Sequence, residues 1–483
     1  MIQKISYNFG IAVLSRLAVG IISLVVVGVL TRSLGPTGFG YYNSIFAYLY
    51  IFTAIADLGL YTVLVREVSK VGPDKESIIS SKIFTLRLLA VISVVVVADL
   101  LVFFMPYTLS VKLGVLIASL FTIFSSLSQV LTGIFQKHLR LYFISISDII
   151  ARLVQLALLL IIFKMGASLL LFVWAVVITE VVHFFLIYRF SKPLTKVKLM
   201  IDVSYWKEVM KIAFPIAASL IFVLIYFRLD LLLLSIMKPA YDVGVYAVPY
   251  KMLEAVIFLP AAFIGLMMPL LSRHAFENKE KFIKVFRRAF NVLAVMALPM
   301  TAYIFLLSDK LVGLVGGAGF IESGPVLQIL SIAVFVIFFG NLGGNSIVAL
   351  NIQKKGMWVY LAGAIFNAGL NIILIPKYTY FAAAWTTVVT EILITIWMFW
   401  LIKKESAASA ELGVFFRAML ATLVMAAIVY PLRGNFVLAS VATLSYVPAL
   451  FLFRGFSTKE LRDIVSLKKP ESPSDIPTKT EVE

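Results

Sequence analysis

The chain has no cysteine, which excludes disulfides, thiolate metal sites and thiol nucleophiles. It has three histidines, His138, His183 and His274, too scattered to form a metal centre. Charged residues are scarce, at 14%, against roughly 25% in soluble domains. There is no Walker A loop and no G-x-S-x-G elbow, and no carboxylate pair stands out for acid–base work. ATP hydrolysis and hydrolase chemistry are therefore not expected, and any energy input must come from an ion gradient, the membrane potential or removal of cargo. No A-x-A-type cleavage site follows "MIQKISYNFG", so the first apolar stretch is expected to be a retained span.

Apolar surface is what the chain has in excess. Hydrophobic residues make up 61%, against roughly 45–50% in soluble domains, and mean hydropathy is +1.02. Long apolar runs recur along almost the whole length, which favours spanning helices over the alternating strands of a barrel. The pattern predicts an all-α polytopic membrane protein with about 14 transmembrane helices, at 9–30, 39–63, 82–105, 110–136, 142–163, 167–190, 209–236, 243–272, 287–308, 325–350, 357–375, 380–402, 412–431 and 435–453.

The net charge is +17, which in a soluble protein would suggest a nucleic-acid partner. Here its distribution points elsewhere. Of 42 Lys and Arg, 30 fall in the N-terminus, the even-numbered loops with their span edges, and the C-terminal tail. The odd-numbered loops hold one each (Arg32, Lys112, Lys164, Lys238, Lys310, Lys377 and Arg433). By the positive-inside rule this places both termini in the cytoplasm of a cell-membrane protein. The tail 454–483, with "KKPESPSDIPTKTEVE", is too polar to fold and is expected to be disordered.

Two segments repeat. "WAVVITEV" from Trp174 and "WTTVVTEI" from Trp385 both read W-x4-T-E, and "GYYNSIFAYL" from Gly40 is echoed by "GVYAVPYKML" from Gly244. The first six helices are thus duplicated in the next six, in the same orientation. This implies an N-terminal lobe (1–190), a cytoplasmic linker (191–208), a second six-helix lobe (209–402) and two added helices (403–453). Parallel repeats of this kind enclose a cavity between lobes.

Three stretches carry a resemblance. The first has L-G-P-x-x-F-G-x-Y at 34–42, D-L-G-L at 57–60 and Arg66-Glu67. The second runs from Arg228-x-Asp230 through V-G-x-Y at 243–246 to P-x-L-S-R at 269–273. The third is "IPKYTYFAAAWTTVVTE" at 375–391, where "TYF" stands in place of the family's customary glycines. Together they resemble the polysaccharide-biosynthesis flippases of the Wzx type, within the MOP superfamily that also holds MATE exporters and lipid II flippases. The resemblance implies two pseudo-symmetric MATE/MOP-like bundles with alternating access. It also implies a lipid-linked oligosaccharide cargo on a prenyl diphosphate, moved from the cytoplasmic to the outer leaflet without enzymatic chemistry. Membrane lipids and polysaccharide assembly enzymes are the implied partners.

Charge inside spans is costly and needs a partner or a wet cavity. The basic candidates for a diphosphate are Arg16, Arg87, Arg152, Arg228 and Lys251, because a guanidinium fork binds phosphate oxygens bidentately. Asp148–Arg152 (i,i+4) and Lys251–Glu254 (i,i+3) read equally as in-helix ion pairs. Arg87 reads equally as snorkelling. Arg228 and Asp230 are two residues apart and face different ways, so each needs its own partner on another helix or a wet cavity, and Arg228 reads also as snorkelling to the outer headgroups. Asp57, Asp99 and Asp230 are candidates for a coupling proton or Na⁺, with Asp57 reading equally as a helix-end cap. Glu180 and Glu391 hold matching places in the repeat, which suggests a shared structural job. The rival functions are a MATE-like ion-coupled drug or cation antiporter and, less favoured, a membrane glycosyltransferase or polysaccharide polymerase.

Overall fold

The computed structural model describes residues 2–166 and 168–455, with side chains at all of them except 2–18, 73, 74 and 215–227. The side chain of Arg16 and the tail from 456 onward lie outside the described residues. All regular structure among the described residues is helical. Among the described residues, ten helices are long and apolar enough to cross a membrane, as a chain with few charges requires where a helix satisfies its own backbone.

The first lobe holds α1 (Ile2–Asp57), α2 (Leu60–Ser69), α3 (Pro73–Leu101), α4 (Leu109–Lys137), α5 (Tyr142–Lys164) and α6 (Leu169–Ser191). The second holds α7 (Val203–Met237), α8 (Ala240–Glu277), α9 (Lys279–Gly316), α10 (Ser323–Ala349) and α11 (Gln353–Ser406). Then come α12 (Leu412–Leu432), α13 (Phe436–Ala442) and α14 (Tyr446–Leu452), which pack on α9 through Leu307, Met425, Val429 and Tyr446. At 1.5 Å per residue, α1 and α11 are each about 80 Å long, far more than a bilayer core of about 30 Å. Both fold back on themselves, α1 at Gly35 (φ 62°) before Pro36 and α11 at Thr379 (φ 52°) after Pro376. Each therefore has the length for two passes, while α13 and α14 together form one shorter apolar stretch. The figure of fourteen spans remains an expectation.

Thr379 sits where the sequence departs from the glycines of the resembling family. Its φ of 52° with ψ of −133° is a region that costs a β-branched residue on the order of 1–3 kcal/mol. Thr379→Gly is accordingly expected to raise the thermal unfolding temperature in detergent. An unchanged or lower value would mean the turn is not strained.

The break between α1 and α2 has a similar local cause. Leu58 (φ 49°) and Gly59 (φ 65°) are both left-handed, so D-L-G-L ends one helix and starts another.

Two ends of the molecule can be distinguished. One carries the turns at Gly35, 105–108, 317–322 and 376–379, and is called the Gly35 end. The other carries the stretch joining the lobes and is called the linker end. The expected linker 191–208 divides in two: 192–202 is irregular, and α7 begins at Val203, capped by the Asp202 carboxylate accepting from the Tyr205 amide at 2.9 Å. The irregular part lies along α3. Ser77 donates to the Lys196 carbonyl, while Ser81 and Thr85 accept from the amides of Lys198 and Met200. The match is geometric: two extended residues advance about 6.6 Å and one helical turn of four residues about 6 Å. Lys82 pairs with Asp202 at 2.6 Å, and that hydrogen bond holds the Asp202 carboxyl below the usual carboxylate range.

The start of α7 also belongs to the first lobe by packing. Val209 and Ala213 are buried with Leu60, Leu64, Ile83 and Val130, whereas Leu231 and Leu234 join the core of the second lobe. Along its length α7 passes from one lobe to the other.

Candidate functional site

The lobes meet at the Gly35 end. There Gly40 of α1 and Gly244 of α8 face each other so closely that a Cβ on Gly40 would strike the Ala240 carbonyl, and one on Gly244 the Pro36 carbonyl. These are the two glycines that open the echoed segments, so the repeat's pseudo-twofold axis runs between them. Thr31 and Arg32 tie the seam further. Arg32 donates to the carbonyls of Leu314 (2.8 Å) and Val315 (2.9 Å), and Thr31 to Val315 (3.1 Å). These carbonyls belong to the last turn of α9, where a helix dipole favours a cation. Phe39 packs edge-on to Phe320, and Tyr107 bonds Ser235 across the lobes.

Ten residues below each glycine, about 15 Å along the helices, stand Tyr50 and Glu254. Between them lies Arg228 of α7. Its guanidinium pairs with Glu254 at 2.5 Å and stacks over the Tyr50 ring at 4.5 Å and the Tyr250 ring at 5.7 Å. Lys251 pairs with the other Glu254 oxygen at 2.9 Å. Two cations thus share one carboxylate, leaving one positive charge in excess. The side chains are 18% exposed for Arg228, 33% for Lys251 and 29% for Glu254, so a ligand can reach them. Tyr50 comes from one lobe and the other groups from the second. The expected Lys251–Glu254 pair is present, and Arg228 shares in it.

Asp230, two residues on, faces the interior of the second lobe and is 3% exposed. No cation lies against it among the described residues. It accepts instead from Thr387 (2.5 Å), Asn371 (2.8 Å) and Tyr246 (3.3 Å), and Asn371 bonds in turn to the Asn367 amide oxygen at 2.9 Å. The amide oxygen of Asn371 is buried with no donor. A carboxylate, amide oxygens and a hydroxyl are hard donors suited to a small cation.

Other expected site residues lie elsewhere. Arg87 is neither snorkelling nor turned to a chamber. It is fully buried, paired with Asp57 at 2.8 Å and donating to the Ala56 carbonyl (2.7 Å) and to Gln129 (2.8 Å). The left-handed Leu58–Gly59 break frees that carbonyl from the helix ladder, and Arg87 satisfies it. In this structure the two opposite charges are spent on each other, unavailable to cargo or ion. Arg152 does not pair with Asp148. It bonds Gln155 at 2.6 Å, while Asp148 stands 3.2 Å from Nε2 of His183, whose Nδ1 is 3.2 Å from Glu180. The helix-spacing argument failed because a histidine on α6 lies closer. Asp99 is half-buried and accepts from Ser119 at 2.5 Å. Glu180 thus bonds within its own helix, whereas Glu391 is buried beside Gly340.

The family model for polysaccharide biosynthesis proteins matches residues 5–275, which is more than half of the chain. The chain belongs to the polysaccharide biosynthesis protein family. The capsular polysaccharide biosynthesis protein CapF of Staphylococcus aureus is 24% identical over 415 residues, covering 84% of this chain and all of CapF. Among solved structures, the lipid II flippase MurJ in an inward closed conformation superposes with a TM-score of 0.77 at 15% identity, over 94% of this chain and 99% of MurJ. A MATE-family multidrug resistance transporter of the MOP superfamily gives 0.65 at 14% identity in an inward-facing conformation, over 82% of this chain and all of that one. An outward-facing structure with the same family description gives 0.57. This member of the polysaccharide biosynthesis family therefore has the MOP-superfamily fold.

The charge census of the spans missed the neutral members of the site. Asn367 and Asn371 are spaced i,i+4 within an apolar helix, a signal as plain as the charges themselves. Tyr50 and Tyr250 carry none, since aromatic residues are common throughout the chain. His183 was passed over as one of three scattered histidines.

Proposed function

We propose that this protein is a flippase that moves a prenyl-diphosphate-linked oligosaccharide from the cytoplasmic to the outer leaflet by alternating access, for surface polysaccharide or glycan assembly. It sits in the cell membrane with both termini in the cytoplasm, so that the linker end faces inward and the Gly35 end outward. The observation that carries this reading is the pair of cations on one carboxylate, placed between the lobes about 15 Å below the outer seam. A diphosphate has more charge and more acceptor oxygens than Glu254 and competes for both cations. The prenyl tail stays in lipid meanwhile. Membership in a polysaccharide biosynthesis family and likeness to a lipid II flippase support the cargo class.

Asp230 and its amide and hydroxyl neighbours are the coupling site, taking Na⁺ or a proton. The site lies on α7 two residues from Arg228, so ion occupancy and cargo contact act on the same helix. Asp57 serves as a structural partner to Arg87, and Asp99 remains a secondary candidate.

The test is transport in proteoliposomes with a fluorescent prenyl-diphosphate oligosaccharide, with an organic cation for comparison. Replacing Arg228 or Lys251 by Gln removes a charge-assisted contact and should slow flipping roughly 10- to 100-fold. Asp230→Asn should abolish acceleration by an imposed Na⁺ or proton gradient while leaving cargo binding in place. Transport of the organic cation alone would replace this reading with a MATE-like antiporter. Normal flipping by Arg228→Gln would make the arginine a structural charge.

A further inference from the structure

The two limbs of α11, on either side of Thr379, form a hairpin with a groove of about 620 Å³ on its surface. It is lined by Ala362, Gly363 and Phe366 from one limb and Ile396, Trp397 and Trp400 from the other. Its depth has a local cause. Gly363 has no side chain, and a Cβ there would strike Ile394, so the limbs close against each other at that level. Above the contact, Ala362 adds only a methyl group, while Trp397 and Trp400 stand up as a wall. Phe366, Ile396, Trp397 and Trp400 are exposed, so the groove opens away from the protein, on an apolar face of a membrane helix pair.

The mouth of the groove at the linker end is basic. Lys404 lies over the Trp400 ring, 5.2 Å from its centroid. Lys355 joins the limbs by pairing with Glu405 at 2.5 Å. That neutralises the only carboxylate at this end of the hairpin. Lys354, Lys403 and Lys404 are exposed, and none of them has an ion-pair partner among the described residues. Three uncompensated cations thus cap an apolar channel that begins one helical turn below them. Basic clusters between helices at a membrane surface select anionic headgroups.

We propose that this groove is a binding site for an anionic phospholipid of the leaflet at the linker end, with one acyl chain against Gly363 and Trp397 and the phosphate on Lys354, Lys403 and Lys404. The floor of the groove adjoins the buried polar cluster. Thr390 packs beside Gly363 and lies 3.5 Å from Asn367, which bonds Asn371, a partner of Asp230. A chain seated in the groove therefore presses on the hairpin that holds the Asp230 site, and lipid composition becomes an input to that site. The inference stands on the hairpin alone and does not depend on the cargo being a prenyl diphosphate.

The experiment uses the full chain in phosphatidylcholine vesicles containing a trace of phosphatidylglycerol with a diazirine in the acyl chain, followed by peptide mapping. Labelling is expected in the hairpin between Val359 and Trp400. Lys403→Gln with Lys404→Gln should lower it roughly thirtyfold. Ala362→Phe should remove it by filling the groove. The lysine pair lies on the surface, so that variant tests the site even if Ala362→Phe fails to fold. Equal labelling by diazirine phosphatidylcholine would mean ordinary annular lipid and overturn the proposal. Displacement of the label by prenyl diphosphate at equal concentration would assign the groove to cargo and overturn it as well.

Discussion

Arg87→Met is expected to cost the folded protein about 3–5 kcal/mol, because it strands the Asp57 carboxylate in the interior of the first lobe. The ion pair is only part of the loss. Arg87 also supplies the donor for the Ala56 carbonyl, which the Leu58–Gly59 break leaves without a partner in the helix, and an unpaired buried carbonyl costs about 1–3 kcal/mol. The measurement is thermal or denaturant unfolding in detergent, with Asp57→Asn and the double variant beside it. The double variant should recover part of the loss, since it leaves no buried charge, but not the share belonging to Ala56. Were Arg87→Met to unfold like the wild type yet fail to transport, Arg87 would act on cargo in some other state of the cycle. The structural assignment given to it above would then be wrong.

Arg87 also shows where sequence reasoning reached its limit. Its presence in a span, the cost of its charge and its pairing need were all legible. Its partner was not, because Asp57 is thirty residues away and the two meet only once α1 and α3 pack. The same holds for Asp148, where helix spacing named Arg152 and the packing of α5 on α6 supplied His183 instead. Local patterns were read well: the apolar runs gave the helical class, and the breaks at Gly35 and Pro376 gave the hairpins. Lys251–Glu254 was found because both residues lie one turn apart on one helix. What joins helices was hidden. The surroundings of Asp230 draw on α7, α8 and the two limbs of α11, and no spacing rule reaches across those intervals. Neutral amides in an apolar helix deserve the same weight as charges, since each also needs a partner where water is absent.

The echoed glycines make the second large prediction, and it has a sign that distinguishes it from a local effect. In a helix interior Gly40→Ala should stabilise by about 0.5–1 kcal/mol through backbone entropy. At the seam the new methyl would meet the backbone of Ala240. A backbone carbonyl cannot move aside as a side chain tip can, so overpacking of about 1–3 kcal/mol opposes closure there. An overpacking penalty of that size, with the helical gain common to both states, shifts the balance between closed and open lobes by roughly 5- to 150-fold. The variant is therefore expected to unfold no earlier than the wild type and yet to spend its time open at the Gly35 end. The chain has no cysteine, so a single Lys251→Cys gives a clean reporter beneath the seam. With Gly40 in place, an impermeant maleimide should reach that thiol much faster from the linker end than from the Gly35 end. With Gly40→Ala it should reach it from the Gly35 end, and Gly244→Ala should do the same, because the two contacts are related by the repeat. Labelling from the linker end alone in both variants would show that the lobes part somewhere other than this seam, and the pair of glycines would then be a fixed packing contact about which the lobes turn.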